Sequence, residues 1–271
     1  MGYPSRADVP ALLARYYNRV PDGVVNDRFY QIHLGPLRHL VRLPGMRSLV
    51  DGIVSKAFLG GASPASNIHS DFTTPEYSSH VSLTAKKWET CRGLGYSFGY
   101  HRNETAAHML SVGELVRLFV DIVSKNGNLL LNVGPMADGS ISDLQLQRLE
   151  GLGAWLAVNG EAVFGTRPWT SAEGETREGI GVRFTRKPDA LFAIILAAPP
   201  GATVTLRGLR AGPETTVRML GSEAPLAWRQ ASDGITGSIP APPPATPALA
   251  LKFTPLPTPC MVPQAVYAPP P

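Results

Sequence analysis

The spacing of hydrophobic positions changes along the chain. Up to about residue 170, apolar residues recur at helical spacing in three segments, with short apolar runs between them. Beyond residue 170 the chain consists of short strand-like runs separated by turns, without a helical stripe. The pattern predicts an α/β region over residues 1–170 and a small antiparallel β-sandwich over residues 171–254.

Three segments of the first region are predicted to be helices. The first covers residues 9–20. The second follows Ser111, because Ser111 and Glu114 have the spacing of a capping box, and it ends at Asn126-Gly127. The third ends at Asn159-Gly160. Its predicted inward residues are Leu146, Leu149, Leu152, Trp155 and Leu156.

Strand-like runs lie between these helices. They are GVVNDRF over residues 23–29, a run centred on KWETC over residues 87–91, and NLLLNVGP over residues 128–135. The last run contains three consecutive leucines, residues 129–131, and a continuous apolar run without alternation is what a buried parallel strand covered on both faces requires. Because strands and helices alternate, we predict a parallel α/β architecture.

The second region contains only strand-like runs. They are VRFTRK, ALFAIILAA, ATVTLRGL, TTVRML and ALALKF, together with two runs on either side of Asp233-Gly234. An Asp-Gly pair between two such runs indicates a hairpin. These short strands and their turns are typical of an antiparallel sandwich.

Two stretches fit neither region. Residues 31–69 are rich in Gly, Pro and Ser, and we interpret them as an insertion. Twelve of the 26 prolines lie between residues 240 and 271. Because proline cannot donate to a sheet ladder, residues 255–271 are predicted to form an extended tail.

Composition narrows the class of protein. The 271 residues are 44% hydrophobic and 17% charged, which is typical of a globular chain, and no apolar run approaches the roughly 20 residues that span a bilayer. Residues 1–70 hold eight Arg or Lys and four Asp or Glu, which accounts for the whole net charge of +4. These charges are separated by apolar residues, so we expect neither a nucleic-acid nor a membrane partner. Cys91 and Cys260 lack the spacing of a metal site or a disulfide framework.

Polar residues follow or interrupt the predicted strands. They are Asn26-Asp27-Arg28, Glu89 and Asn132. In a parallel barrel such positions line the mouth, where the chemistry takes place. Structural roles are the alternative: Arg28 would pair with Asp27, Asn132 would cap a loop, and Glu89 would be solvated.

Five motifs carry a family resemblance. They are VVNDRF, DFTTPEY, WETCRGLGYSFGY, NGNLLLNVGPMADG and GAWLAVNGEAVFGTRPW, in this order. Together they closely resemble the retaining α-L-fucosidases of glycoside hydrolase family 29. The resemblance implies the later part of a (β/α)8 TIM-like barrel over residues 1–170, followed by the sandwich. It also implies removal of terminal α-linked L-fucose from glycans by double displacement, with no metal or organic cofactor.

The resemblance implies roles for individual residues. Glu89 is the predicted general acid/base, with Trp88 beside it to raise its pKa by desolvation. Glu76 in TTPEY is the rival carboxylate. Arg28 resembles an arginine that contacts the sugar, and Tyr100 is predicted to line the pocket. His101 and His108 carry no motif and are expected to be surface or loop residues.

The nucleophilic Asp of a retaining site is not supplied by these five motifs. In related bacterial enzymes it lies in a stretch that resembles W-N-D-I-G-Y-P, and here the chain opens with Met1-Gly2-Tyr3-Pro4. We therefore expect this aspartate just upstream of Met1 and an inactive isolated chain. A carbohydrate-binding remnant and a barrel glycosidase for another sugar are the alternatives. The sequence does not indicate a compartment or an oligomeric state.

Overall fold

The computed structural model describes residues 8–29, 69–80, 82–240 and 246–259. The chain forms two compact units, residues 1–74 and residues 75–271. The predicted insertion lies outside the described residues, apart from His69, and so do residues 260–271 of the predicted tail.

The first unit contains helix α1 (Asp8–Arg19), a 3-10 turn at Asp27–Phe29 and the short strand β1 (Phe72–Thr73). Helix α1 buries Val9 and Leu13 against Val25, so the predicted first helix is confirmed. The predicted strand over residues 23–29 is wrong. Asn26 makes a single parallel bridge with Phe72, and its Oδ1 accepts a hydrogen bond from the backbone N–H of Arg28 at 3.1 Å. An Asn side chain that bonds two residues ahead favours a turn over a strand.

Two parallel strands open the second unit. Strand β2 (Lys87–Gly93) pairs with β3 (Gly127–Asn132), from Trp88 opposite Gly127 to Gly93 opposite Asn132. The parallel pairing of β2 and β3 confirms the predicted parallel strands. The predicted burial of the apolar run in β3 is wrong. Leu130 is 50% exposed, so one face of β3 is incompletely covered in this structure.

Helix α2 (Val112–Ser124) connects β2 to β3. Ser111 Oγ accepts from the backbone N–H of Glu114 at 3.2 Å, and Glu114 Oε2 accepts from the backbone N–H of Ser111 at 2.8 Å, which confirms the capping box. The helix is followed by Asn126 with a φ of 75°. An Asn in the left-handed region is the predicted stop.

Helix α3 (Asp143–Asn159) ends where the sequence predicts. Trp155 is buried, and its Nε1 donates to the backbone O of Ala248 at 2.8 Å. Leu146 was expected to point inward, but it is 42% exposed. The adjacent Gln145 is buried instead, and neighbouring residues on a helix lie about 100° apart, so Leu146 faces outward.

The remaining strands form antiparallel sheets. A five-stranded sheet has the order β4-β5-β6-β12-β9, a three-stranded sheet has the order β10-β11-β7, and β13 pairs with β8. The bounds are β4 (Arg167–Glu175), β5 (Gly181–Arg186), β6 (Leu191–Ile195), β7 (Thr203–Arg207), β8 (Leu209–Arg210), β9 (Thr216–Met219), β10 (Trp228–Ala231), β11 (Gly234–Ser238), β12 (Leu249–Thr254) and β13 (Thr258–Pro259).

The antiparallel strands agree with the sequence pattern. Ala231 pairs with Gly234 across the β10–β11 turn, which confirms the predicted hairpin. The domain boundary predicted between residues 170 and 171 falls inside β4. The predicted extended tail is wrong at Thr258–Pro259, where the chain pairs with Leu209–Arg210. Proline can occupy such an edge position because its missing N–H is not needed there.

Both faces of the five-stranded sheet are covered. Leu191, Ala193 and Ile195 pack in a core that includes Leu206 and Ile235 of the three-stranded sheet. Phe192 and Ile194, which alternate with them, pack in a second core together with α2 and α3 residues. All five residues of β6 are fully buried, which explains why this strand belongs to the longest apolar run of the chain.

Four charges join the end of α2 to the five-stranded sheet. Lys125 Nζ lies 2.9 Å from Asp121 Oδ1 and 2.8 Å from Glu173 Oε1. Arg183 Nε lies 2.6 Å from the same Asp121 oxygen, and Arg183 Nη2 lies 3.3 Å from Glu173 Oε1. Two cations and two anions therefore form a closed cluster.

Candidate active site

Glu89 is the third residue of β2, where it pairs with Asn128 of β3. Its side chain is half-buried. The carboxyl end of the strand, at Gly93, lies four residues further on. With a rise of about 3.3 Å per residue, Glu89 is about 13 Å from that end.

Trp88 does not shield Glu89. Consecutive side chains of a strand point to opposite faces, so Trp88 and Glu89 lie on different sides of the sheet. Trp88 is buried, its Nε1 donates to the backbone O of Lys125 at 3.1 Å, and its ring makes an edge contact with His80. Burial lowers the pKa of His80. The indole thus belongs to the core on the face of the strand opposite Glu89.

Glu76 is held nearer the carboxyl end of β2. The backbone N–H of Cys91 donates to the O of Pro75 at 3.0 Å, and the N–H of Tyr77 donates to the O of Cys91 at 3.1 Å. These two bonds make a parallel bridge that places Glu76 opposite Cys91. Glu76 is exposed, and it lies two residues, or about 7 Å, beyond Glu89 along the strand direction.

Tyr77 connects Glu76 to the loop that follows β2. Its backbone has a φ of 49°, and its hydroxyl O accepts from the backbone N–H of Gly93 at 3.1 Å. Its ring meets the ring of Phe98 edge-on, with 5.0 Å between centroids. A left-handed tyrosine with two such contacts fixes the direction in which the chain leaves Glu76.

Polar side chains anchor the loop over residues 93–100. Glu104 Oε1 accepts from the backbone N–H groups of Tyr96 at 2.8 Å and Ser97 at 3.2 Å. Asn132, at the end of β3, donates from Nδ2 to the backbone O of Phe98. The predicted role of Asn132 as a loop cap fits this bond.

Tyr100 lies at the end of the same loop and is 42% exposed. A Cβ atom at Gly134 would lie 2.2 Å from the backbone N of Tyr100, so only glycine permits this approach. Gln145 holds Gly134 from the other side, because its Oε1 accepts from the Gly134 N–H at 3.0 Å. The structure fixes the backbone of Tyr100 and leaves its side chain accessible. His101 and His108 are exposed, as expected.

Arg28 belongs to the first unit. Its Nη2 donates to the backbone O of Thr74 at 2.6 Å, while Asp27 Oδ1 accepts from the backbone N–H of Thr74 at 3.0 Å. The side chains of Arg28 and Asp27 thus hold the backbone O and the backbone N–H of Thr74. Arg28 is exposed.

Asp71 organises the rest of that unit. Its Oδ2 accepts from the Tyr17 hydroxyl at 2.5 Å and from the backbone N–H of Val25 at 2.7 Å, and His69 Nε2 lies 3.2 Å from its Oδ1. The bond from Tyr17, followed by the bond from Val25, lowers the pKa of Asp71. Desolvation, followed by the bond to Asp71, raises the pKa of Tyr17 to about 12. One carboxylate thereby joins α1 to the segment after it.

Sequence reasoning missed Glu104, Gln145 and Tyr96. Glu104 accepts two loop N–H groups, Gln145 supports Gly134, and Tyr96 is the most exposed of the large apolar side chains that the structure describes, at 76%. Glu104 had one usable signal, since an acidic residue shortly after a glycine-rich loop is a candidate acceptor for its backbone. Gln145 had none, because a polar residue on an amphipathic helix is expected on the outside.

The described residues contain neither a cluster of metal-ligating side chains nor a candidate membrane span. Groups of three or more His, Cys, Asp or Glu side chains with ligand geometry are absent from those residues. Among the same residues, helices long and apolar enough to cross a membrane are also absent.

Two family models match the chain. The α-L-fucosidase model matches residues 53–161, and the α-L-fucosidase C-terminal domain model matches residues 177–254. An α-L-fucosidase of Branchiostoma floridae is 43% identical over 160 residues, which are 58% of this chain and 35% of that protein.

Solved structures extend the likeness over most of the chain. The Thermotoga maritima α-fucosidase in complex with a mechanism-based inhibitor is 36% identical, with a TM-score of 0.71 over 94% of this chain and 51% of the other. The Thermotoga maritima α-L-fucosynthase in complex with α-L-Fuc-(1-2)-β-L-Fuc-N3 is 37% identical, with a TM-score of 0.71 over 94% of this chain and 50% of the other. The chain belongs to the α-L-fucosidase family, glycoside hydrolase family 29. It spans about half the length of these solved relatives and about a third of the curated one.

Proposed function

We propose that this chain carries the acid/base side of a retaining α-L-fucosidase site, which removes terminal α-linked L-fucose from glycans. Membership of the family is the observation that carries the proposal. In double displacement one carboxylate attacks the anomeric carbon, while a second carboxyl group protonates the leaving oxygen and then activates water. The two groups must lie about 5 Å apart.

The fold supports a share in a larger barrel. Strands β2 and β3 are parallel neighbours joined by helix α2, which is the unit that a (β/α)8 barrel repeats. The chain covers 51% of the Thermotoga maritima relative, and its five family motifs do not supply the nucleophile. We assign the nucleophilic aspartate to polypeptide outside the 271 residues, so the isolated chain is expected to be inactive.

Two carboxylates compete for the acid/base role. The sequence motif favours Glu89, whereas the geometry favours Glu76. In parallel barrels the reacting groups lie at the carboxyl ends of the strands. Glu76 is bridged to Cys91 near that end, and Glu89 is two residues nearer the amino end. We therefore place the acid/base at Glu76 and retain Glu89 as the rival that the experiment must exclude.

Arg28 and Tyr100 are each proposed to contact fucose, as the family resemblance implies. The bond from Arg28 to the backbone O of Thr74 orients its guanidinium, and guanidinium groups donate strongly to sugar oxygens and carboxylates alike. Tyr100 is accessible at the end of an anchored loop. Both residues are proposed as substrate contacts.

Hydrolysis of aryl α-L-fucosides tests the proposal. We expect no turnover by the 271-residue chain alone, and turnover when it is co-expressed with the amino-terminal half of the Thermotoga maritima relative. In that active assembly, Glu76→Gln should lower kcat/KM by about 10²- to 10⁴-fold on a phenyl fucoside. The loss should be much smaller on a dinitrophenyl fucoside, because that phenolate leaves without protonation.

Glu89→Gln is the matched control, since it makes the same chemical change about 7 Å away on the same strand direction. We expect it to keep most of the activity on both substrates. The reverse pattern would assign the acid/base to Glu89, as the motif predicts. Turnover by the 271-residue chain alone would contradict the assignment of the nucleophile to polypeptide outside this chain. Glycan binding by an assembly that hydrolyses no aryl glycoside would favour a carbohydrate-binding remnant. Hydrolysis of a different aryl glycoside would assign the site to another sugar.

A further inference from the structure

We propose that Tyr96 and His108 form a platform that stacks against the sugar next to the fucose, on the leaving-group side of the site. This inference rests on the proposed function. Tyr96 is 76% exposed, and its ring lies 6.0 Å from the His108 ring, with 55° between the planes. The reaction itself requires neither residue.

Tyr96 is not an isolated exposed side chain. Three further aromatic residues around the carboxyl end of β2 are at least one-third exposed: Tyr77, Phe98 and Tyr100. Tyr96, Phe98 and Tyr100 share one loop, and the Phe98 ring contacts Tyr77. Single exposed apolar residues are ordinary on protein surfaces, whereas several close together favour an interaction site. Tyrosine also presents a rigid amphipathic surface, which suits a ligand with one apolar and one polar face.

The backbone of Tyr96 and the imidazole of His108 are held in place before any ligand binds. Glu104 accepts from the backbone N–H of Tyr96 at 2.8 Å, and a Cβ atom at Gly95 would lie 2.6 Å from Glu104 Oε2. A larger residue at Gly95 would therefore displace this carboxylate from its present position. His108 Nδ1 accepts from the backbone N–H of Thr105 at 3.0 Å, which orients the imidazole. Groups held in this way lose little entropy when a ligand binds.

The position of the loop indicates which sugar would be bound. Tyr96 and Phe98 share one loop, the Phe98 ring contacts Tyr77, and Tyr77 follows Glu76. Because the acid/base protonates the leaving oxygen, the surface beside Glu76 is where the leaving group passes. The ligand is therefore a neutral pyranose with an apolar C–H face that can stack on an aromatic ring.

Binding of N-acetyllactosamine, which contains no fucose, tests this inference without requiring hydrolysis. Titration of the 271-residue chain, followed by isothermal calorimetry and ligand-observed NMR, should show saturable binding. Tyr96→Ala should weaken the affinity about tenfold, and Tyr96→Phe should stay within about twofold, because stacking needs the ring and not the hydroxyl. Phe164→Ala removes another exposed aromatic side chain, 60% accessible, and should leave the affinity unchanged.

Three results would overturn the platform: an absence of saturable binding, equal affinities for Tyr96→Ala and the parent, or equal losses for Tyr96→Phe and Tyr96→Ala. A thermal melt of each variant identifies any loss of affinity that comes from unfolding. If Tyr96→Ala unfolds, the affinity of Tyr96→Phe tests the platform in its place. Ring-dependent disaccharide binding by a protein whose complemented form hydrolyses no fucoside would leave the platform standing and remove the proposed function. Fucoside hydrolysis by the complemented protein, with disaccharide binding unchanged in Tyr96→Ala, would support the proposed function and overturn the platform.

Discussion

The sandwich and the region before it are stabilised by different interactions. In the sandwich, a sheet with apolar side chains on both faces lies between two cores. In the preceding region, the loops are fixed by single polar side chains bonded to backbone groups: Glu104 to Tyr96 and Ser97, Gln145 to Gly134, and Asn132 to Phe98. Apolar burial stabilises without direction, whereas hydrogen bonds fix a loop atom by atom.

The polar contacts occur in the region that contains the proposed site, where individual atoms must be held in position. Glu76 and Tyr100 of the proposed site lie outside the regular strands, and loops cannot bury enough apolar surface to fix their own shape. Each anchor contributes only about 1 kcal/mol net, but a buried group left without its partner costs more. We therefore expect substitutions in the sandwich to lower global stability and substitutions of the polar anchors to act locally.

The largest expected effect is in the sandwich. Phe192→Ala removes a fully buried ring at the centre of the second core and should cost about 4 kcal/mol of unfolding free energy. Leu130→Ala is the control in β3, where the side chain is 50% exposed, and should cost about 1 kcal/mol. Equilibrium denaturation in urea measures both. Equal losses would contradict the contrast between the two regions.

The second-largest expected loss of unfolding free energy is at Asn126, a polar side chain that holds backbone groups. Asn126 donates from Nδ2 to the backbone O atoms of Thr84 and Ala85 at 3.0 and 3.2 Å, and it has a φ of 75°. Asn126→Ala loses these bonds and strains the backbone, which should cost about 2–3 kcal/mol. Asn126→Gly loses the same bonds without the strain, so urea denaturation should show it about 1 kcal/mol more stable than Asn126→Ala. Equal stabilities would show that the left-handed conformation adds nothing.

The smallest effect should be pH-dependent and local to the first unit. The pKa of Asp71 is lowered in the folded state by the bonds from Tyr17 and Val25. This stabilisation is therefore complete above the unfolded pKa of about 4 and is lost as the pH falls through the folded pKa. Asp71→Asn should speed amide exchange at Val25 at pH 6, and the difference from the parent should shrink below about pH 4.

Asp22→Asn is the matched control, because Asp22 is an exposed aspartate of the same unit. It should leave exchange at Val25 unchanged at every pH. A difference between Asp71→Asn and the parent that stays constant down to pH 2 would contradict the titration of this carboxylate.

The predictable features were those set by local pattern. The capping box at Ser111 and Glu114, the stop at Asn126 and the hairpin at Asp233-Gly234 each depend on a few neighbouring residues, and all three are confirmed. The failures depend on distant contacts. Leu146 faces outward because Gln145 bonds to Gly134, and the exposure of Leu130 depends on what covers its strand.

The candidate site was less predictable than the fold. A motif could indicate Glu89, but only the bridge between Glu76 and Cys91 shows which carboxylate lies nearer the end of the strand. Glu104 and Tyr96 belong to one loop whose shape depends on a bond across eight residues. Periodicity carries no information about such bonds, because they involve backbone groups that every residue has.

The alternation of β6 has a practical consequence for dissecting the molecule. Its even-numbered residues, Phe192 and Ile194, belong to the core shared with the helices, and its odd-numbered residues belong to the core between the sheets. A fragment cut at the sequence boundary near residue 170 would keep every strand after β4 but uncover one whole apolar face. The stretch that resembles a separate domain thus shares a core with α2 and α3, and we expect a transfer of this sandwich to another protein to succeed only if those helices are included.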